Sequence, residues 1–333
     1  MIIVRTPTRV SFCGGGSDLP VFYKKHGGIV LSAGLNRYIY LSIHPYFYPD
    51  RLICKYSKNE PVNHPSQLNH PIFRVLLEQF NINGVEITST ADVPAGTGLG
   101  SSSSFTVGLL HILYAYTSRY VSADSLAAEA CYTEIELLGE PIGKQDQYAA
   151  AFGGLNVYRF NKDGSVNVEP VILSPETYER MERNLLMFYT GDLRSASQIL
   201  SEQSKNIFSN REKENAQVEI CKLTEELHKE LTRDNINALG GIMNANWEQK
   251  RKLASGITNP LIDKAYNDAI SAGATGGKLL GAGGGGFLLF YVPEHRHNAV
   301  KNALSHLTFM DFGFSKSGSV VIYVGDKPRR SLI

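Results

Sequence analysis

Cysteine is scarce and scattered in this chain of 333 residues, which holds Cys13, Cys54, Cys131 and Cys221. No two of them form a Cys-x-x-Cys pair, so the sequence predicts neither a zinc site nor a disulfide framework. An excess of charge is also missing, because the formal net charge is +1. Such a balance gives no electrostatic reason to expect nucleic acid or an anionic membrane as a partner.

Long apolar runs are absent as well. No stretch approaches the ~20 residues that cross a bilayer, and Met1–Arg5 lacks the basic region and long apolar segment of a signal peptide. These absences predict a cytoplasmic protein with no membrane partner. With 43% hydrophobic and 20% charged residues the composition is typical of a globular protein. The length predicts two domains, which we place at 1–180 and 181–333.

Glycine, in contrast, is concentrated in three segments. The most informative is Asp92–Phe105, D-V-P-A-G-T-G-L-G-S-S-S-S-F, which lies between an alternating, strand-like segment and the helical pattern of Phe105–Tyr116. Glycines let the backbone approach a ligand closely, and the N–H groups of a helix's first turn suit a phosphate. The segment therefore predicts a phosphate site, although a capped helix after a flexible loop would use the same residue types. It is not a Walker A loop, because no lysine follows the last glycine at the required place.

The other two glycine segments lie near the two ends of the chain. Pro7–Asp18 carries three consecutive glycines between Arg9 and Asp18, which indicates either a ligand-facing turn or a simple hairpin bend. Gly273–Gly286 contains a formal Gly-x-Gly-x-x-Gly, the dinucleotide-binding pattern. That pattern requires a helix after it, whereas Phe287–Val292 is typical of a strand. We therefore reject a dinucleotide site.

Acidic side chains crowd the end of a helix predicted from Ser122 to Leu138, which stops at Gly139 with Pro141 beyond it. These are Glu134, Glu136 and Glu140, at a helix end where the dipole disfavours negative charge. Surface helices often carry such glutamates, so spacing alone does not choose among them.

Thr190–Ser197 combines Arg194 with hydroxyl side chains at a predicted helix start. Such a segment could bind a phosphate. It could equally be a capped helix with a surface arginine.

In their order along the chain, the three glycine segments resemble the motifs of the GHMP kinases, the superfamily of galactokinase, homoserine kinase and mevalonate kinase. The family's Pro-x-x-x-Gly-Leu-Gly-Ser-Ser motif is matched by Pro94, Gly98, Leu99, Gly100, Ser101 and Ser102. Ser103 and Ser104 stand where the family often has alanine. The resemblance implies an α+β fold, with an N-terminal domain like domain 2 of ribosomal protein S5, a ferredoxin-like C-terminal domain and the site between them.

The resemblance also implies transfer of the γ-phosphoryl group of ATP to a sugar hydroxyl, with Mg²⁺. Counting from Pro141, Glu134 takes the place of the magnesium-ligating glutamate and Asp146 that of the catalytic base, which Arg9 keeps ionised. Ser102 would be the second metal ligand. The implied ATP-binding residues are Pro94, Gly96, Thr97, Gly98, Leu99, Gly100, Ser101, Ser102 and Ser103. The implied substrate-binding residues are Gly15, Gly16, Ser17, Asp18, Arg194, Gly283 and Gly284.

Departures from the galactokinase pattern reduce the number of candidate substrates. Galactokinases have a Glu-His pair where this chain has Gly15 and Gly16, which argues against galactose. The segments ending at Asp18, Gln147 and Arg194 resemble the D-glycero-D-manno-heptose 7-phosphate kinase branch. That branch makes the 1,7-bisphosphate at the anomeric hydroxyl, for nucleotide-activated heptose and surface polysaccharide.

Two alternatives stay open. One is a kinase of the same superfamily for fucose, galactose or an amino sugar. The other is a non-catalytic relative that binds a ligand, against which the intact Arg9, Glu134 and Asp146 argue. In each case the partners are small molecules, and a homodimer is allowed but not required.

Overall fold

The computed structural model describes residues 1–191 and 196–325. Its first sheet is built on two long antiparallel strands, β1 (Ile2–Cys13) and β2 (Gly28–Pro45), paired from Ile2 opposite Ile43 to Cys13 opposite Leu31. Further strands extend it, namely β3 (Leu52–Lys55), β4 (Asn59–Val62), β5 (Val85–Ala91), β6 (Leu155–Phe160) and β7 (Val166–Pro170). β3 and β5 run parallel.

The helices that accompany this sheet are α1 (Pro20–His26), α2 (Pro71–Gln79), α3 (Ser101–Tyr116), α4 (Ala123–Cys131) and α5 (Gln145–Phe152), while α6 (Pro175–Arg183) leads to the second sheet. Of these, α3 and α5 pack directly on its strands. The central helix is α3, which buries Val107, Leu110 and Leu113 in the core under β1 and β2. A π-helix, Tyr132–Leu137, continues α4 and ends the predicted helix where expected.

The second sheet consists of β8 (Leu185–Tyr189), β9 (Gly276–Leu279), β10 (Phe287–Tyr291) and β11 (Thr308–Met310). Their order is β11-β8-β10-β9, and all the pairs are antiparallel. The helices around it are α7 (Ala196–Ser209), α8 (Arg211–Leu231), α9 (Ala238–Lys250), α10 (Pro260–Ser271) and α11 (His297–Ala303). The last strand, β12 (Val320–Val324), returns to pair with β1 in the first sheet. The division at 180/181 stays a prediction.

Several elements differ from the sequence expectation for local reasons. The segment from Ser57 to Pro71 is polar and interrupted by three prolines, which predicts a loop, but it holds β4 and a 3-10 helix. Helical spacing from Ser197 to Thr232 predicts a long helix, but the structure has two helices there. The Asn210 side chain accepts hydrogen bonds from two backbone N–H groups and so caps a new helix start. A strand follows Gly286, as the sequence predicted, where the dinucleotide-binding pattern would need a helix. In the part of the chain described, no helix is long and apolar enough to cross a bilayer.

Candidate active site

A cavity of about 450 Å³ lies where the first sheet and its helices meet α9 and the loop between β9 and β10. All three glycine segments reach it. The predicted site residues on its wall are Arg9, Gly15, Gly16, Asp18, Gly96, Gly98, Gly100, Ser101, Ser102, Ser103, Glu134, Asp146 and Gly283. Side chains and loops that are far apart in the sequence therefore share one cleft.

Five other predicted residues are not part of this wall, namely Pro94, Thr97, Leu99, Ser17 and Gly284. Three of them stabilise the glycine loop. The Thr97 hydroxyl donates to the Pro94 carbonyl oxygen at 3.0 Å, and the Leu99 carbonyl oxygen accepts from the backbone N–H of Arg9 at 3.0 Å. Ser17 is fully buried. Arg194 lies outside the described residues, so its predicted role stays a prediction.

The loop before α3 owes its shape to glycine. Gly96, Gly98 and Gly100 have φ values of 77°, 84° and 73°, a region that other residues adopt only with strain. Gly100 is the residue from which α3 starts. In the first turn of that helix, the N–H groups of Ser101, Ser102 and Ser103 have no acceptor within the helix. This positive end opens on the cavity, where it suits an anion such as a phosphate.

The loop between β9 and β10 packs against this one, backbone on backbone. A Cβ added to Gly98 would lie 2.7 Å from the Leu280 carbonyl oxygen, and one added to Gly281 would lie 2.6 Å from the Gly98 Cα. At Gly286 the same addition would meet the Thr97 carbonyl oxygen at 2.4 Å. The two loops can therefore pack this closely only because Gly98, Gly281 and Gly286 have no side chain.

Gly98→Ala is expected to destabilise the protein more than Gly139→Ala. Both positions have positive φ, 84° and 69°, so both variants carry backbone strain of about 1 kcal/mol. A Cβ at Gly139 meets nothing within 4 Å, whereas at Gly98 the clash with Leu280 adds about 1–3 kcal/mol. Urea unfolding of both variants measures the difference, and equal losses would contradict this account of the loop contact.

Arg9 connects the glycine loop before α3 to Asp146. The Arg9 Nε and Nη2 atoms donate to the two carboxylate oxygens of Asp146, each at 2.7 Å, and Nη1 donates to the Gly98 carbonyl oxygen at 2.6 Å. Arg9 lies on β1 and is buried, while Asp146 lies in the first turn of α5. This bidentate pairing fixes the carboxylate in one orientation beside the loop.

Asp18 is a second carboxylate of the cavity lining, buried beside the start of α5. It accepts hydrogen bonds from the Gly16 N–H at 3.0 Å and from the Gln145 N–H at 3.2 Å. Burial, reinforced by the negative charge of Asp146, raises the pKa of Asp18. Gly143 must be glycine here, because a Cβ would lie 1.9 Å from the Asp18 Oδ2 atom.

Glu134 lies in the π-helix, a distortion that often marks functional sites. Its carboxylate is buried and accepts from the Ser103 and Thr106 hydroxyls, each at 2.8 Å, and from the Gln147 amide at 2.5 Å. Burial raises the pKa of Glu134 to about 7 despite these three donors. Among the described residues no cationic side chain pairs with it, so this buried carboxylate is suited to a bound cation.

The donor set near Glu134 fits Mg²⁺. The described residues contain no group of three or more His, Cys, Asp or Glu side chains able to hold a metal. A magnesium ion in a kinase needs only one or two protein ligands, because substrate phosphates and water supply the rest. Glu134 offers a carboxylate, and the exposed Ser102 on the same wall offers a hydroxyl.

Sequence reasoning missed several polar residues of the cleft, among them Gln145 and Lys250. Gln145 is on the wall, and its buried Oε1 atom has no hydrogen-bond partner in the part of the chain described. Lys250 is 5% exposed and also reaches the cavity. The signal for Lys250 was present in the sequence: with Met243 and Trp247 it continues the spacing of an otherwise buried helix face, where an apolar residue is expected.

Comparison with known proteins places this fold and cleft in one family. Residues 68–154 match the family model described as GHMP kinases N terminal domain, and residues 227–307 match GHMP kinases C terminal, together about half of the chain. A D-glycero-alpha-D-manno-heptose 7-phosphate kinase from Campylobacter jejuni is 28% identical over 331 residues, covering 95% of this chain and 97% of the relative.

Solved structures show the same fold. A D-glycero-D-manno-heptose 1-phosphate kinase from Bacteroides thetaiotaomicron superposes with a TM-score of 0.80 at 25% identity, covering 98% of this chain and all of the other. A mevalonate kinase from Methanococcus jannaschii gives 0.72 at 20% identity, over 94% of this chain and 98% of the other.

The chain belongs to the GHMP kinase family and has its fold, which confirms the resemblance drawn from the glycine motifs. It is an enzyme, an ATP-using phosphotransferase whose acceptor is an alcohol group. The heptose phosphate kinases among its relatives support a sugar as the molecule that carries this alcohol.

Proposed function

We propose that this enzyme phosphorylates the anomeric hydroxyl of D-glycero-D-manno-heptose 7-phosphate to give the 1,7-bisphosphate, with ATP and Mg²⁺. The observation that carries the chemistry is the bidentate pair of Arg9 and Asp146 beside the glycine loop. It places an oriented carboxylate next to a helix N-terminus suited to phosphate. Synthesis of nucleotide-activated heptose for surface polysaccharide is the process that such a product would serve.

The choice of substrate draws on the relatives and on the polarity of the cleft. The Campylobacter jejuni relative, aligned over nearly its full length, is a heptose 7-phosphate kinase. The Bacteroides thetaiotaomicron protein is named for the 1-phosphate, so the two names agree on a heptose phosphate and differ in the phosphate's position. We favour the 7-phosphate, because it leaves the anomeric hydroxyl free to react. The Asp18 carboxylate and the Gln145 Oε1 atom offer acceptors for further sugar hydroxyls.

In this mechanism Asp146 receives the proton of the acceptor hydroxyl. As that proton leaves, the hydroxyl oxygen bonds to the γ-phosphorus of ATP, and the bond from phosphorus to the β–γ bridging oxygen breaks to release ADP. Arg9 holds the carboxylate in line for this transfer. The N–H groups at the start of α3 stabilise the charge on the phosphate oxygens.

Glu134 and Ser102 would hold the magnesium ion. A bound Mg²⁺ supplies charge neutralisation for the phosphates of ATP. The carboxylate of Glu134 is kept in place by the Ser103, Thr106 and Gln147 donors. It is therefore oriented before the nucleotide binds.

An acceptor panel tests the proposal. The purified enzyme, ATP and Mg²⁺ are assayed for ADP release with heptose 7-phosphate, the free heptose, galactose, fucose and an amino sugar. We expect heptose 7-phosphate to give a kcat/KM at least about 10-fold above every other acceptor, with ³¹P NMR showing a new anomeric phosphate ester. Preference for a free sugar would leave a general sugar kinase. ADP release with none of them would reject the proposed substrate and point to an acceptor outside this panel.

A further inference from the structure

Lys250 is a buried cation that the mechanism above does not use. Its ammonium group donates to the Gly281 carbonyl oxygen, and among the described residues it forms no ion pair with a carboxylate. An ammonium group has three donors, and burying one without an opposite charge is costly. A structural contact to one carbonyl oxygen would not require a charged group.

Charged groups of both signs lie near Lys250. Of the two other cations, Arg9 on β1 is already paired with Asp146, and Lys278 on β9 does not line the cavity. Burial lowers the pKa of Lys278 well below its usual value. The carboxylates on the cavity wall are those of Asp18, Asp146, Glu134 and Glu140. In the part of the chain described, Lys250 forms an ion pair with none of them, so a phosphate entering the cleft would supply the charged partner that the Lys250 ammonium group lacks.

The position of Lys250 indicates which anion this is. Gly281 packs against Gly98 of the glycine loop, so the ammonium bound to its carbonyl oxygen lies near the predicted phosphate site. The same cavity wall holds Asp18, at the predicted acceptor side. Phosphate oxygens are the anionic ligands that a kinase brings to such a place.

We propose that the Lys250 ammonium group binds phosphate oxygens within the cleft, and that it contributes to binding or transfer in the reaction. The inference rests on the proposed function for the identity of the acceptor only. The phosphate is either the one being transferred or the acceptor's own. Burial and the positive charge of Arg9 lower the pKa of Lys250 to about 8, against the opposing effect of Asp18 and Asp146.

The test compares Lys250→Met with Lys252→Met. Lys252 lies two residues further on, is exposed, and bonds only to Gln249 among the described residues. Loss of a charge-assisted hydrogen bond is expected to lower kcat/KM for heptose 7-phosphate by about 10- to 100-fold in Lys250→Met. The Lys252→Met control should change it by less than about 2-fold. An effect of Lys250→Met below about 2-fold on both kcat and KM would overturn the proposal.

Two acceptors distinguish the source of the phosphate. If Lys250 binds the acceptor's own phosphate, Lys250→Met raises the KM for heptose 7-phosphate and spares the free heptose. If it binds the transferred group, kcat falls by a similar factor with both. Should the acceptor panel show preference for another sugar, the proposed substrate fails, and the same variants assayed with that sugar still decide the role of Lys250.

The pH profile of Lys250→Arg separates ligand binding from a structural role. In the wild type, kcat/KM should fall between pH 7 and pH 9 as the ammonium loses its proton near its pKa of about 8. Arginine stays charged over this range, so the variant should keep a flatter profile. Superimposable profiles would overturn the proposal, and this comparison carries the test alone if Lys250→Met does not fold.

Discussion

Asp146→Asn is expected to lower kcat by about 10²- to 10⁴-fold, the range found when a general base is removed, while the affinity for ATP stays nearly unchanged. The amide has nearly the shape of the carboxylate but cannot take the proton of the acceptor hydroxyl. Arg9 donates to the two carboxylate oxygens of Asp146, and through a separate N–H group to the Gly98 carbonyl oxygen. The contact between Arg9 and the glycine loop of the predicted ATP site therefore does not pass through Asp146. Steady-state kinetics and calorimetric titration with ATP measure the two effects separately.

Glu169→Gln is the matched control for Asp146→Asn. Glu169 also accepts a hydrogen bond from an arginine, Arg159, at 2.8 Å, but on the β6–β7 hairpin and outside the cavity lining. It should lose the same kind of ion pair with less than about a 2-fold change in kcat, because exposed salt bridges contribute little. If Asp146→Asn retained near wild-type turnover, Asp146 would not be the base, and orientation of the acceptor would remain as its role.

The sequence could predict those parts of the site whose conformation depends only on neighbouring residues. Gly96, Gly98 and Gly100 alternate because each needs a positive φ, and that requirement is visible in the residue types alone. The strand, loop and helix start around them follow from periodicity within some thirty residues. The structure places these glycines on one wall of the cleft, as the motif resemblance implied.

Contacts between segments that are distant in the sequence could not be predicted from residue patterns. Arg9 and Asp146 are 137 positions apart, and only the family resemblance, not spacing, suggested that they meet. The fit of Gly98 against Gly281 depends on two loops from different ends of the chain. The return of β12 to the first sheet is equally non-local, because its β-branched and aromatic residues predict a strand but do not indicate which strand it pairs with.

Glu134 shows a different limit. Spacing predicted a regular helix from Ser122 to Leu138, and the same residue types serve an α-helix or a π-helix, so the change after Cys131 had no sequence signal. Burial differs between the two glutamates: Glu134 is 2% exposed, whereas Glu136 lies on the surface. The choice between them came from the resemblance, and their burial now separates them physically.

Glu134→Gln is expected to raise the Mg²⁺ concentration needed for half-maximal activity by about 10-fold or more, because it removes a charged oxygen ligand from a hard cation. Glu136→Gln, two positions away and exposed, should leave that concentration within about 2-fold of the wild type. Titration of the rate with Mg²⁺ at fixed ATP compares the two. If both variants behaved alike, Glu134 would not be the metal ligand.

The same variant carries a second expected result that needs no metal or nucleotide. The pKa of Glu134 is raised from 4.5 to about 7 in the folded protein, so between these values the folded state binds more protons than the unfolded state. The wild type therefore gains stability from this group below about pH 4.5 and loses it as pH rises to about 7, by about 3 kcal/mol at most. Gln does not titrate, so the free energy of unfolding of Glu134→Gln, measured in urea without metal, should improve relative to the wild type from pH 5 to pH 8. A difference that does not change with pH would show that the Glu134 carboxyl is already ionised in the free enzyme at pH 5.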